Sequence, residues 1–574
     1  MIRASLSGTG LVISIYLLGS AASGTATQAA EQRVKGRQHA DLILHHGNIA
    51  TMDEHQSFVE AVAIRDGKIL AVGSNRQIRS LANDETQVID LMGRTVLPGL
   101  IDGHLHGLRN GYHCFTQAVR LDNVFSRSQA LQMYQAKAEQ LRKQFPADTW
   151  IFTTAGWTVR QLDTPGMFTL AELDEVLPET PVFVLGNSFA GVQVNSYALQ
   201  LLGLKPGSPG VELDETGNPT GRLTDEAQTT AGAAISEQLN RRSIDDQAAC
   251  LEDFIRTANS LGLTAWNDPE GNQQPFITGL AGSCQEFGQG LHDHQAVIQL
   301  RRDDRLNVRI TFHVMNNFSG LRQLLPDHRH ALGFMGDDML RYLGVGEEVL
   351  CPGNEPPPNP EEYRAIAEFL AANRMSFEHH ASADATQEAE LDGWEHANRV
   401  YPIARLHWTM AHPGEDGISP TDRTLARARA LGIGMTPSTS GALTSAGGRT
   451  PRFKSMFESG IHLCLSTDAM NVAPYPPFIT LWYVVSGRTL DPEVAGVPPE
   501  QRLTRMEALR AKTVDCAWNL AQEGRLGSLV VGKHADLIVL SADYFSVPTD
   551  DIRGITSVLT VVGGKIVHDA GALR

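Results

Sequence analysis

Apolar and polar positions fall into two different rhythms along this chain. From Asp41 to Val72 the apolar residues come in short β-rich runs broken by turns, "DLILHHGNIATMD" and then "AVAIRDGKILAVG", with "DGK" as a hairpin signal. The C-terminal stretch repeats the style in "GKHADLIVL" and "ITSVLTVVGGKIVHD". The likeness of "ADLIL" to "ADLIV" predicts that the chain ends pair into one small sheet domain, residues 31–95 with 525–574. The middle would then be inserted into it.

That middle, 96–524, reads as apolar strands, mostly followed by stretches able to form helices. Strands are predicted at 96–106, 263–268, 308–314, 340–349, 375–381, 406–412, 433–438 and 461–468. Eight strand–helix units predict an α/β fold, a (β/α)8 TIM barrel, whose site lies at the C-terminal ends of its strands. The spacer of about 107–255 reads as an insertion with its own strands, "WIFTTAGW" and "PVFVLGN", and a helix, "LAELDEVL".

The first 30 residues follow neither rhythm. Arg3 is followed by an apolar run from Leu11 to Leu18 and then by small residues. This predicts a signal peptide over 1–30, too short in its apolar part to span a bilayer, and hence a periplasmic or secreted protein. No later segment is apolar enough to cross a membrane, so no membrane partner is expected.

Composition narrows the chemistry. A net charge of −17 argues against a nucleic-acid surface. The six cysteines lie far apart with no C-x-x-C, which disfavours a thiolate zinc cage and leaves room for one or two disulfides. Any metal must therefore be held by histidine and carboxylate.

The stretch "VLPGLIDGHLHG" offers such ligands. Residues i and i+2 of a strand share a side, so His104 and His106 would both face the barrel axis, with Gly107 ending the strand. Two imidazoles converging on one point suit a divalent transition ion such as zinc. The pairs His292/His294 and His328/His330 share the spacing but lie in polar stretches, and read as solvated loop histidines. Further strand ends carry matching chemistry: His379 and His380, His412, Asp468, and the glutamates Glu347 and Glu348.

With "TVLPGLIDGHLH", "STDAMNVAP" and "GSLVVGKHADLIVL", the chain resembles the metal-dependent amidohydrolase superfamily. "PVFVLGN…VNSYALQLLGL", "GNPTGRLTDE" and "HHASADA" are similar to its amidohydrolase-3 (YtcJ-like) branch. The resemblance implies a barrel inserted in a β-sandwich, one or two divalent ions, and a homodimer. It also implies ligands at His104, His106, His380, His412 and Asp468. Three positions depart from the pattern. Gly346 stands where relatives commonly carry a bridging lysine, so Glu347 is the candidate bridge. Asn267-Asp268 replaces a His-Asp pair, and Phe189 and Ala190 replace a histidine.

On this reading a metal-activated water attacks an amide-type C–N bond of a small molecule, with Asp468 as general base. Two alternatives stand beside it. One is a mononuclear deaminase or cyclic-imidate hydrolase of the same superfamily. The other is a catalytically silent binding or regulatory protein on this scaffold. Trp157, Arg160, Phe189 and Trp266 are weighed as pocket residues against plain packing, and the Pro-rich 351–363 as a semi-rigid loop over the site.

Overall fold

The computed structural model describes residues 39–573 apart from 113–114, 147, 155, 187–191, 270–293, 315–319, 322–323, 326–330, 348, 351–358, 415–419, 440–450 and 470–472. The leader segment, Phe189, Ala190, His292, His328, His330, Glu348 and most of the Pro-rich loop lie outside the described residues.

Both chain ends build two sheets that share one apolar core. Leu42–His45, Ala61–Arg65, Lys68–Gly73 and Gln87–Asp90 form one sheet. The other joins Asn48–Ala50, Phe58–Val59 and Thr95–Pro98 from the N-terminal part to Leu537–Leu540, Ser557–Val562 and Lys565–Asp569 from the C-terminal part. Leu44, Val62 and Ile89 of the first sheet pack in one cluster with Val96, Leu537 and Val561 of the second. The chain ends meet because each alone leaves one apolar sheet face uncovered.

Between them the chain makes eight parallel strands: β1 Leu100–Asp102, β2 Leu263–Asp268, β3 Arg309–Val314, β4 Leu340–Val345, β5 Ser376–His380, β6 Thr409–Ala411, β7 Gly434–Thr436 and β8 His462–Leu463. They pair in sequence order, each with the next, and the curled sheet with its helices is an α/β barrel. Its core spans from Leu100 through Trp266, Phe377 and Trp408 to Tyr483. Among the described residues no helix is long and apolar enough to cross a membrane.

The single strand expected over 96–106 is two. Thr95–Pro98 pairs in the outer sheet, and only Leu100–Asp102 enters the barrel. Gly99 is the joint: its N–H donates to Asp536 O, while Leu100 N–H donates to Gly262 O. The barrel strand stops before the histidines, and Gly107 starts a short helix, Gly107–Tyr112, rather than ending a strand.

The segment after that helix carries its own sheet, with Ile151–Thr153 and Val182–Leu185 where strands were expected and a helix at Leu170–Val176. The capping box of Thr169 with Glu172 starts that helix. Helix Ile244–Ser260, which lies largely inside the expected insertion, already packs on the barrel through Leu251, Phe254 and Ile255. Cys464 of the β8 end is joined to Cys516 by a disulfide, and Cys250 is disulfide-bonded as well.

Candidate metal centre

All six sequence-predicted ligands converge at the C-terminal ends of the barrel strands. His104 and His106 follow β1, Glu347 follows β4, His380 ends β5, His412 follows β6, and Asp468 lies five residues beyond β8. His104 Nε2 lies 3.6 Å from Glu347 Oε2 and 3.7 Å from Asp468 Oδ1. His106 Nε2 is 2.9 Å from Asp468 Oδ1 and 3.9 Å from Glu347 Oε2. The other Glu347 oxygen, Oε1, is 2.6 Å from His380 Nδ1 and 2.7 Å from His412 Nε2. The imidazole of His412 stacks edge-on to His104 at 4.5 Å and lies 4.3 Å from His380.

Strand alternation explains the choice within "FEHH". Residues two apart share a face, so Glu378 and His380 point into the barrel and His379 points out. His379 is buried in the outer layer, bonded to Glu390 and packed on Tyr363 and Phe377. His412 and Asp468 both sit in left-handed backbone, φ 61° and 56°. Such non-glycine outliers cost of order 1–3 kcal/mol and cluster at functional sites. Asp468 is anchored in that conformation by its N–H, which donates to His104 O at 2.9 Å.

Beneath these side chains lies a polar layer of which the sequence reading flagged only Asn267, as a departure from the family pattern. Glu378 accepts from His104 Nδ1 at 2.8 Å and from the Asn267 amide. Asn267 in turn meets His313 Nδ1 at 3.1 Å, and His313 Nε2 meets Ser376 Oγ at 3.1 Å. Burial pulls the His313 imidazole down to about 4, with His104 adding to it and Glu378 opposing, so His313 is neutral at pH 7. The signal for Glu378 was present as the i−2 partner of His380. Asp268, the neighbour of Asn267, points the other way and accepts from Leu108 N–H at 2.7 Å and Trp266 Nε1 at 3.2 Å.

A third group works on the backbone. Asp102 Oδ1 accepts from the N–H of His104 at 3.2 Å and of Thr467 at 3.1 Å, while Oδ2 takes Lys512 Nζ at 2.8 Å. One buried carboxylate thereby holds residues flanking or bearing ligands from both β1 and β8. Gly103 is needed between them, since a Cβ there would lie 2.2 Å from Cys464 Sγ.

The charges match a cation. Burial raises the Glu347 carboxyl, but His104 and His412 bring it well below the ordinary range. Asp468 is lowered too, its burial outweighed by His412 and His106. His104 Nε2 is buried and makes no hydrogen bond among the described residues, yet faces two carboxylates from just beyond hydrogen-bond range. An imidazole nitrogen stranded between carboxylates fits a bound divalent ion. Two three-ligand groupings have ligand atoms within 4.8 Å of one another here: His104, His106 and Asp468, and His104, Glu347 and His412.

Of the weighed pocket residues, Trp157, Arg160 and Trp266 are engaged elsewhere, and Phe189 lies outside the described residues. Trp157 is buried with Nε1 donating to Leu185 O, and Trp266 is fully buried. Arg160 pairs with Asp491 and Glu493. His294 is no solvated loop residue: it is buried and stacked on Phe312 at 4.4 Å, because its helix brings it against β3.

Comparison with known proteins supplies the family. The Amidohydro_3 model, described as an amidohydrolase family, matches residues 87–568. The putative amidohydrolase YtcJ of Bacillus subtilis (strain 168) is 33% identical over 573 residues, covering 92% of this chain and 99% of the relative. The N-substituted formamide deformylase of Arthrobacter pascens is 24% identical over 564 residues, covering 93% and 99%. The crystal structure of an uncharacterized metal-dependent hydrolase from Pyrococcus furiosus shares the fold at a TM-score of 0.59 and 22% identity, covering 88% of this chain and all of that one.

Proposed function

The chain belongs to the Amidohydro_3 amidohydrolase family, and from that premise we propose a metal-dependent hydrolase that opens an amide-type C–N bond of a small molecule at the barrel mouth. The observation that carries the reading is the Glu347 carboxylate, with one oxygen facing His380 and His412 and the other facing His104 and His106. A carboxylate set between two pairs of imidazoles suits two ions. His104, His106 and Asp468 would hold one, His380 and His412 the other, with Glu347 shared in place of a bridging lysine. Nitrogen and carboxylate donors favour zinc.

Bound divalent ions at such a centre supply Lewis acidity, making water a nucleophile near neutral pH and polarising a carbonyl. The protein does the rest. Asp468 has a part-exposed side chain, at 17%, and of the six candidate ligands only His380, at 21%, is more open, so it lies within reach of arriving water and substrate. It takes the proton of the attacking water and delivers it to the leaving nitrogen. Glu378 holds His104 in one tautomer, with Nδ1–H donated and Nε2 free to ligate. The left-handed backbone at His412 and Asp468 and the N–H bonds that Asp102 accepts keep these groups in place before substrate binds.

The deformylase relative directs the substrate search to N-substituted formamides and other N-acyl compounds. The reading extends to export, supported by the leader-like N-terminus and the buried disulfide Cys464–Cys516, which suits an oxidising compartment. It also takes the two outer sheets as one β-sandwich. The test is metal content per chain on purified protein, with a His104→Ala/His106→Ala control, followed by a screen of N-formyl and N-acyl compounds. Turnover is expected, with two ions more per chain than in the control. One ion more would favour the mononuclear deaminase reading, and no difference in metal from the control would sink the enzyme.

A further inference from the structure

The outer sheet carries a second group of metal-ligating side chains. His45 ends the strand Leu42–His45 and pairs in register with Asp90 of the adjacent parallel strand Gln87–Asp90. Consecutive strand residues normally face opposite sides. His46 escapes this because its φ is +56°, which turns its ring over beside that of His45, with centroids 4.2 Å apart.

The two chain turns that carry these residues are fastened to each other. Leu91 N–H donates to His45 O at 2.8 Å and Gly93 N–H to His46 O at 2.6 Å. The N–H of His46 is held by Asn75 Oδ1 at 2.7 Å. Asp90 spends Oδ1 on Met92 N–H at 2.8 Å, which leaves Oδ2 for His46 Nδ1 at 2.9 Å. One ligand atom from each of His45, His46 and Asp90 lies within 4.8 Å of the other two. His45 is only 5% exposed, and its Nδ1 makes no hydrogen bond among the described residues. A surface ion pair explains His46 and Asp90, but it leaves the buried imidazole of His45 unexplained.

We propose that His45, His46 and Asp90 form an additional metal site that takes one zinc-class divalent ion. Two imidazoles and one carboxylate are borderline donors, which favour zinc, nickel or copper over magnesium or calcium. His46 and Asp90 are partly exposed, so the remaining coordination positions open to water. The ion would pin the 45–47 turn to the 90–93 turn and add to the stability of the outer sheets, because it binds the folded arrangement and not the open chain. The inference uses no barrel residue.

The test is zinc titration of the full chain, read as ions bound per chain and as the zinc-dependent rise in Tm. His46→Ala/Asp90→Ala changes two partly exposed side chains and should leave hydrolysis by the zinc-loaded protein unchanged. It is expected to bind one ion fewer than the unaltered chain and to lose part of the Tm rise. The barrel variant His104→Ala/His106→Ala should still bind an ion that His46→Ala/Asp90→Ala then removes. Equal zinc binding with and without His46→Ala/Asp90→Ala would overturn the proposal while leaving the barrel reading intact. Loss of activity in that variant with zinc content unchanged would overturn it equally.

Discussion

Glu378 and His104 face each other inside the barrel at 2.8 Å, both almost wholly shut off from water. The imidazole can present Nε2 to an ion only while Nδ1–H is donated, and Glu378 is the acceptor. Partners of this kind are commonly worth 10–100-fold in metal affinity. Glu378→Ala should therefore weaken metal binding by about 10–100-fold in a chelator-competition titration, whereas Glu378→Gln, which keeps an acceptor oxygen, should lose less. Unchanged affinity in the alanine variant would separate Glu378 from the site.

Asp468 is assigned the proton transfers. Asp468→Asn removes the base and keeps the shape, so kcat should fall by about 10²–10⁴-fold. Much of the metal should stay bound, since His104, His106, His380, His412 and Glu347 remain. Steady-state kinetics beside metal analysis on the same sample checks both halves. Near wild-type turnover would refute the mechanism.

The metal-free chain should lose stability toward alkaline pH. Burial pulls His104 down, but Glu347 and Glu378 raise it from 6.5 to about 10. A raised pKa in the folded state means that its contribution is full below 6.5 and is lost as pH rises through about 10. Glu347 and Asp468 are lowered, so their contributions hold above the ordinary carboxylate range and disappear as pH falls. The Tm of chelator-treated protein should accordingly decline from pH 6.5 to 10, and zinc, which replaces the proton on His104, should remove that decline. Identical pH profiles with and without zinc would count against an ion at His104.

The Cys464–Cys516 bridge closes a loop of 52 residues at the barrel seam. The chain-entropy relation gives such a loop about 4 kcal/mol. Cys464→Ala/Cys516→Ala should lower the denaturant midpoint accordingly in the oxidised protein. A midpoint unmoved by the double substitution would show that packing alone holds the β8 end to the 514–519 helix.

The convergence of these side chains at the barrel mouth was readable in the sequence because it obeys local rules. His104, His106, His412 and Asp468 stand just past apolar runs, and period-two alternation separates His380 from His379. The strand boundary at β1 was not readable: Val96 and Ile101 are equally apolar, and only partners far along the chain, Val539 for one and Trp266 and its neighbours for the other, divide them into two sheets. The polar layer of Glu378, Asn267 and His313 was missed for a related reason. Glu378 and His313 look like unremarkable polar residues in apolar runs, and Asn267 only like a departure from a family pair, until the barrel brings β2, β3 and β5 together. His294 was misjudged because its polar neighbours in sequence say nothing of Phe312 across the fold.

Among the described residues, β1 and β8 form no ladder with each other. They meet instead through Asp102, through the bonds from Gly103 N–H to Leu465 O and Asp468 N–H to His104 O, and through Lys512 behind them. The first and last candidate ligands thus stand on the two lips of the place where, among the described residues, the sheet does not hold itself shut. An ion shared by His104, His106 and Asp468 would be the clasp of the ring as well as its chemistry. Emptying the centre would then loosen the barrel first along this seam, a wedge from Leu100 to His106 on one side and Leu463 to Asp468 on the other.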